Sequence, residues 1–362
     1  MDERMFFSKA KNYVGIELGH SSIKVVGLKK EQKQLVPQFY RIESLDERDD
    51  DDQRLIAQEI LRTVASDERV SGARLSVTLP ASLAITRVME LNPLMPEEEL
   101  EATIKDEISQ VTFDDVDEMR IVVSGLDVPD GAEDKTRVVA FAINSEILED
   151  RLSLLLGAGL KPDSIDIDSV ALYNAFKLLL DEEQLQVPEC LVEVGADESR
   201  CLILAEGHAP FYRVIDVGSS QITRLLMADS GISFHEAEQR KVAFFSEMRK
   251  GDEVVKQNLD LIEAFCAFAG ELIYEVRRCI RHFQSTEAVA QFGAVYLTGG
   301  GARSHLLRHL FEHELSITTR FWDPFALLSS GDFHRSPEEL ETAETMRLGP
   351  AFGTVLQNME NG

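Results

Sequence analysis

Three short glycine-containing turns carry the residue types that hold phosphate groups in proteins. They read Gly19-His20-Ser21-Ser22, Gly195-Ala196-Asp197-Glu198-Ser199 and Gly299-Gly300-Gly301. Glycine lets the backbone approach an anion closely, and successive backbone N–H groups then form a concave anion-binding site. The hydroxyls of Ser21 and Ser22 and the ammonium group of Lys24 would add donors. The pattern predicts a phosphate-binding cleft, although each turn taken alone is also typical of an ordinary hairpin or helix entry.

An acidic residue lies two positions before each of the first two turns, Glu17 in one case and Glu193 in the other. Carboxylates at strand ends are suited to holding Mg²⁺ through water. The two turns share the order apolar residue, Glu, apolar residue, Gly, over 16–19 and 192–195. This internal repeat predicts two similar halves that face one another.

Predicted strands and helices alternate around these turns. Two strand–turn–strand units are expected over 13–28 and 189–206, where β-rich runs flank a short turn. Further strands are expected at 29–45, 75–79, 86–91, 120–128, 136–143, 164–168 and 295–298. Helices are expected at 54–65, 95–111, 145–158, 169–180, 253–284, 304–313 and 351–359, with more helix between 215 and 245.

The 362 residues are too many for one ordinary core, so several subdomains are expected. The first lobe is predicted at 1–81, together with 161–188 and a C-terminal helix at 340–362. A compact α+β module at 82–160 is inserted into it. The second lobe is predicted at 189–339 and includes a helical subdomain at about 216–290.

The composition excludes some classes of partner. The net charge of −27, from 37 basic and 64 acidic residues, repels nucleic acid and anionic lipid. No run of about 18 apolar residues occurs, so any membrane role is expected to go through a partner. Four cysteines without metal-binding spacing are predicted to be reduced core residues of a cytosolic protein. They are Cys190, Cys201, Cys266 and Cys279.

The order of the three turns resembles the actin, sugar kinase and heat-shock chaperone superfamily, in which they are the phosphate-1, phosphate-2 and adenosine motifs. The module at 82–160 sits where FtsA-like proteins carry their inserted subdomain, and within that branch the chain resembles the PilM family of type IV pilus assembly. The resemblance rests on VGIELGHSSIKVV at 14–26, LEDRLSLLLGAGLKPDSIDIDSVAL at 148–172, CLVEVGAD at 190–197, AEQRK at 237–241, ELIYEVRRCIRHF at 271–283, YLTGGGARSHLLRHL at 296–310 and WDPF at 322–325.

This resemblance implies an α/β, actin-like two-lobed ATPase fold, built as a ribonuclease H-like repeat with an inserted α+β subdomain of the FtsA and PilM type. It implies ATP or ADP as a ligand, with Mg²⁺ near Glu17 and Glu193. The implied nucleotide-binding residues are Gly19, His20, Ser21, Ser22, Lys24, Gly195, Ala196, Glu275, Arg278, Gly299, Gly300, Gly301 and Arg303. Relatives usually have Asp in both phosphate motifs, so the two glutamates favour a weak ATPase at most.

Two implied roles have plain structural alternatives. Asp168 lies where some relatives position the attacking water, and a carboxylate there would be a weak general base. Alternatively, Asp168 or Ser169 caps the following helix. Glu275 and Arg278 correspond to positions that flank adenine or ribose, but they are spaced equally well for a solvated pair on one helix face.

The resemblance also implies a function, that of a cytoplasmic nucleotide-binding scaffold at the inner membrane. PilM-like proteins bind the cytoplasmic N-terminal peptide of an inner-membrane PilN-like protein, in a groove between the first lobe and the inserted module. Self-association is a further possibility in this fold. The alternatives are a GspL-like type II secretion scaffold, an FtsA-like division scaffold and a small-molecule kinase of the same fold.

Overall fold

The structure, a computed structural model, describes residues 12–31, 34–45, 50–92, 95–125, 136–180, 183–208, 210–247, 258–328 and 344–360. The strands are β1 (Asn12–Leu18), β2 (Ser22–Glu31), β3 (Gln34–Ser44), β4 (Arg74–Leu79), β5 (Ala84–Leu91), β6 (Met119–Gly125), β7 (Thr136–Asn144), β8 (Ser164–Ile167), β9 (Glu189–Val194), β10 (Ser199–Leu204), β11 (Phe211–Ile215), β12 (Val295–Thr298) and β13 (Thr319–Phe321). The α-helices in these ranges are α1 (Asp50–Ala65), α2 (Glu97–Ser109), α3 (Ser145–Gly157), α4 (Asp168–Leu179), α5 (Ser220–Ser230), α6 (Phe234–Glu247), α7 (Leu259–Glu287), α8 (His305–Leu315) and α9 (Gly349–Glu360).

Two five-stranded sheets repeat one topology. The strand order is β3-β2-β1-β4-β8 in the first sheet and β11-β10-β9-β12-β13 in the second. In each sheet the first three strands form an antiparallel meander. A fourth strand pairs in parallel with the first strand, and a fifth strand pairs in parallel with the fourth. The internal repeat read from the glycine turns is therefore a repeat of the whole sheet.

Two helices form a layer between the sheets. One hydrophobic cluster contains Leu28 of the first sheet, Phe176 of α4, Phe352 of α9 and Leu202 of the second sheet. The helices cross closely because Gly353 has no side chain, and a Cβ there would lie 1.8 Å from the carbonyl oxygen of Ala171. Hydrophobic burial of α4 and α9 thus couples the two lobes.

The outer faces of the sheets are covered by other helices. Helix α1 and the end of α3 pack on the first sheet through Leu61, Leu154 and Leu155. The long helix α7 packs on the second sheet, where Phe265 and Phe268 lie against the strands. The helix predicted to start at 253 begins at 259 in the described residues, and 253–257 lie outside them.

The inserted segment forms a third sheet, in the order β5-β7-β6, with α2 on one face. Although α3 lies within the predicted module at 82–160, its buried leucines belong to the core of the first sheet. The boundaries of the three predicted domains remain predictions. The predicted strand at 120–128 is seen as Met119–Gly125, and 126–128 lie outside the described residues.

The prediction of four core cysteines is wrong for one of them. Cys190, Cys201 and Cys279 are buried, but Cys266 is exposed, because it lies on the solvent side of α7. All four are free thiols, and the Sγ atoms of Cys190 and Cys201 are 3.8 Å apart.

Candidate functional site

Each lobe pairs the acid of its glycine turn with a base on the next strand. In the β1–β2 hairpin, Glu17 faces Lys24, whose ammonium donates to the carboxylate at 2.5 Å. In the β9–β10 hairpin, Glu193 faces Arg200, whose Nη1 donates to Glu193 Oε2 at 2.9 Å. The register of each hairpin puts residues seven apart directly opposite one another, on the same face of the sheet.

Arg200 contacts three carboxylates at once. Besides Glu193, its Nη2 lies 2.6 Å from Asp168 Oδ2 and 2.9 Å from Glu198 Oε1. Arg200 is only 6% exposed, and Asp168 and Glu193 are each 2% exposed. A planar guanidinium with donors on several nitrogens is the side chain best suited to such an arrangement. Sequence analysis missed Arg200, although the seven-residue spacing shared by the two hairpins was a readable signal.

Asp168 ties this cluster to the first lobe. It is the first residue of α4, directly after β8, and its Oδ1 accepts the backbone N–H of Ala81 at 3.0 Å. The alternative that Asp168 or Ser169 caps α4 is wrong. Ile167 occupies the cap position without a side-chain bond, and the Asp168 carboxylate points away from the first turn of its own helix, toward Ala81 and Arg200.

Burial dominates the electrostatics of the acids. It raises the pKa of Asp168 to about 7, with Arg200 opposing the rise and Glu193 and Glu17 adding to it. Burial likewise raises the pKa of Glu17, although Lys24 favours the charged form. Burial disfavours a charged Arg200, but the carboxylates of Asp168 and Glu193 outweigh it and raise the pKa of the guanidinium.

Several buried polar atoms around the cluster have no hydrogen-bond partner within the described part of the chain. They are Glu17 Oε2, Thr78 Oγ1, Ser169 Oγ, Arg200 Nε and Tyr212 Oη. Buried polar groups are nearly always satisfied by protein, water or ligand. The buried region between the lobes is therefore rich in polar groups that the protein itself leaves unsatisfied in its described part.

The first two turns offer backbone donors. Among the described hydrogen bonds, none uses the backbone N–H groups of His20 and Ser21, or those of Ala196 and Asp197. The second turn is supported by the start of α5, because Ser220 N–H donates to the carbonyl oxygen of Ala196 at 2.8 Å. Ser22 is buried beneath the first turn, whereas His20 and Ser21 are exposed.

The third turn lies against the second. Gly299 has a φ of +90°, and a Cβ on Gly301 would lie 2.6 Å from Val194 Cγ1. This proximity follows from the parallel pairing of β9 with β12. Gly299 N–H donates to Met346 O at 3.0 Å, and Arg303 pairs with Glu344 in the same C-terminal segment.

A basic residue of α6 also reaches this region. Lys241 is buried, and its ammonium lies 3.3 Å from Ser219 O, 3.1 Å from Thr223 Oγ1 and 2.7 Å from Glu238 Oε2. Ser219 in turn contacts the position where a Cβ of Gly301 would lie. Glu238 and Lys241 were not predicted as site residues, although they belong to the AEQRK segment.

Glu275 and Arg278 are placed differently. Arg278 Nη1 donates to Glu275 Oε1 at 2.7 Å, and Glu275 also pairs with Arg213 on the edge strand β11. No described contact joins either residue to the three turns. Arg278 is exposed and Glu275 is partly buried, and the two form an i,i+3 pair on one helix face.

The two acids predicted to hold Mg²⁺ already have cationic partners within the protein. A magnesium ion needs carboxylate oxygens that are free to face it. Lys24 and Arg200 instead occupy Glu17 Oε1 and Glu193 Oε2, and Glu17 Oε2 is left without a partner in the described part of the chain. Within the described ranges, no group of three or more His, Cys, Asp or Glu side chains is arranged to hold a metal ion.

The comparisons with known proteins establish the family. A family model described as "Type IV pilus assembly protein PilM" matches residues 15–356. The chain belongs to this family. A solved PilM-PilN type IV pilus biogenesis complex matches 95% of this chain and 98% of that chain, with 18% identity and a TM-score of 0.76. The ethanolamine utilization protein EutJ from Carboxydothermus hydrogenoformans matches 95% of this chain and 89% of its own, with 15% identity and a TM-score of 0.53.

The actin-like fold class predicted from the sequence is confirmed, as is the resemblance to the PilM family. In the part of the chain that the structure describes, no helix is both long enough and apolar enough to cross a bilayer.

Proposed function

We propose that this protein is a scaffold of type IV pilus assembly that binds the cytoplasmic N-terminal peptide of an inner-membrane PilN-like protein. The family supports the scaffold role, and the likeness to a solved PilM-PilN complex supports the partner. On this proposal the protein lies at the cytoplasmic face of the inner membrane through that partner.

The observation that carries the peptide-binding site is an apolar face of the inserted sheet that α2 does not cover. Val88 of β5 is 49% exposed and Val122 of β6 is 65% exposed. Their neighbours on the central strand are Val139 and Phe141, which are both partly exposed. Clustered exposed apolar side chains of this kind mark interaction surfaces.

The ends of this face fit a groove-binding peptide. At one end Ile143 packs into the core of the first lobe. At the other end Val88 borders a groove of about 350 Å³ whose far wall includes Phe211 and Phe283 of the second lobe. Strand β5 is at the edge of its sheet, so an extended peptide has both backbone partners and apolar pockets within reach.

Isothermal titration calorimetry with a synthetic PilN-like N-terminal peptide tests the proposal. Val88→Asp and Val122→Asp should each weaken binding by about tenfold or more, since each places a charge on the apolar face. Val242→Asp is the matched control, because Val242 is 55% exposed on α6 in the second lobe. Failure of the unmodified protein to bind the peptide would overturn the proposal, and so would equal affinities for all three variants.

We also propose that the cleft between the lobes binds ATP or ADP at the three turns. The support is the set of backbone N–H groups that no described bond uses at His20, Ser21, Ala196 and Asp197, together with the tight contact between the second and third turns. A fluorescent ADP analogue should bind the protein and be displaced by ATP. Any hydrolysis is expected to be slow. Absence of binding at millimolar nucleotide would contradict this part of the proposal.

A further inference from the structure

The cleft floor already contains a cation that belongs to the chain. Arg200 lies between Asp168, Glu193 and Glu198, and contacts each of them at a distance of 2.6 to 2.9 Å. Its side chain is 7% exposed, so water screens these pairs weakly. The acids that would be expected to attract a divalent cation therefore have a fixed partner of opposite charge.

We infer that Arg200 takes the place of a divalent cation in this cleft and holds the two lobes together without metal. This inference goes beyond the proposed scaffold function and does not depend on peptide binding. It departs from the Mg²⁺ site that the resemblance implied at Glu17 and Glu193.

The contacts of Arg200 span the two lobes. Glu193 and Glu198 belong to the β9–β10 hairpin that also carries Arg200, but Asp168 starts α4 and accepts a hydrogen bond from Ala81, two residues after the end of β4. The ion pair between Arg200 and Asp168 thus joins the second sheet to the first. A metal ion bound between lobes would connect them in the same way.

A divalent cation would compete with this guanidinium for the same oxygens. An ion at a metal–carboxylate distance of about 2.0–2.6 Å from Asp168 Oδ2 or Glu193 Oε2 would meet the charge of Arg200, which already contacts both atoms. Two positive groups at that separation repel strongly in a buried site. Lys24 occupies the corresponding side of Glu17, at 2.5 Å.

The carboxylates of the cluster outnumber its cations, and bound protons neutralise part of the difference. The groups that face one another here are Glu17, Asp168, Glu193 and Glu198 as acids, and Lys24 and Arg200 as bases. Burial raises the pKa of Asp168 to about 7 and raises the pKa of Glu17 above its ordinary value, so bound protons offset part of the excess negative charge.

Metal titration of the full chain tests the inference without any nucleotide. We expect the unmodified protein to have the same melting temperature in EDTA and in excess Mg²⁺, and no Mn²⁺ site tighter than about 1 mM by calorimetry. Arg200→Met should melt at least about 5 °C lower and should gain Mg²⁺-dependent stabilisation, because three carboxylates lose their partner. Arg213→Met is the control, since Arg213 on the neighbouring strand pairs with Glu275 outside the cluster.

Two results would overturn the inference. One is a single Mn²⁺ site with matching stabilisation in the unmodified protein, and the other is Arg200→Met melting like Arg213→Met. If Arg200→Met does not fold, Asp168→Asn replaces it, since an amide oxygen can still accept from Ala81 while the ion pair to Arg200 is lost. That variant should cleave faster between the lobes in limited proteolysis, and an unchanged cleavage rate would count against the inference. Peptide titration on the same variants tests the scaffold proposal separately.

Discussion

The two hairpins of this protein share a topology and differ in their chemistry. Each has a glycine turn, an acid two residues before it and a base seven residues after that acid. Lys24 reaches one carboxylate, whereas Arg200 reaches three, including Asp168 of the other lobe. An ammonium is a compact point charge and a guanidinium is a planar fork, so the same position in the repeat forms a local pair in one lobe and an interlobe connection in the other.

The largest loss of stability is expected when the ion pairs of Arg200, which connect the lobes, are removed. Arg200→Met should lower the free energy of unfolding by about 3–5 kcal/mol, because it leaves buried acids without their partner. Urea denaturation followed by circular dichroism measures this loss. A change as small as that of Arg213→Met would mean that the cluster contributes little to holding the lobes together.

The glycine turns should also differ in their tolerance of a methyl group. A Cβ on Gly195 would lie 2.5 Å from Glu198 O, whereas a Cβ on Gly19 would lie 2.9 Å from Ser22 O. Gly195→Ala should therefore cost about 1–3 kcal/mol, and Gly19→Ala should cost less. Thermal melts of the two variants give the order, and a reversed order would show that the first turn is the more constrained.

The lysine of the first hairpin should matter less than the arginine of the second. Lys24→Met is expected to cost about 1–2 kcal/mol, since Glu17 can take up a proton when its partner is lost. The same urea denaturation measures it. A loss equal to that of Arg200→Met would remove the contrast between the lobes.

The smallest effect is a pH dependence at Asp168. Its pKa in the folded protein is raised to about 7, above the unfolded value, so the folded state binds the proton more tightly. This contribution to stability is greatest at low pH, declines as pH rises toward about 7 and levels off above it. Between about pH 6 and 8 the unmodified protein should lose about 1 kcal/mol more than Asp168→Asn. Identical pH profiles would contradict the raised pKa.

Local sequence patterns were enough to predict the strands and helices and the internal repeat. The apolar, Glu, apolar, Gly order at 16–19 and 192–195 predicted two related halves, and the two sheets have the same strand order. Turns and strands of this kind are determined by residues close together in sequence, such as the glycines that allow a tight turn. The resemblance to the PilM family then followed from the order of motifs along the chain, and the family is confirmed.

Local sequence patterns could not predict which helix of the second lobe contacts the glycine turns. The resemblance implied Glu275 and Arg278 as nucleotide-binding residues, and their described contacts are with one another and with β11. Lys241 of the shorter α6 reaches Ser219 beside the third turn instead. The choice depends on how α5, α6 and α7 pack on the sheet, which apolar periodicity does not specify.

The sequence by itself determined the glycine turns, the paired acids and the two-fold repeat, because these depend on residue types and short spacings. Only the tertiary structure decided what the acids face. Asp168 and Arg200 are 32 positions apart along the chain, and they meet because α4 packs between two sheets. That packing places an arginine among three carboxylates, so Asp168, Glu193 and Glu198 face a cation of the protein itself.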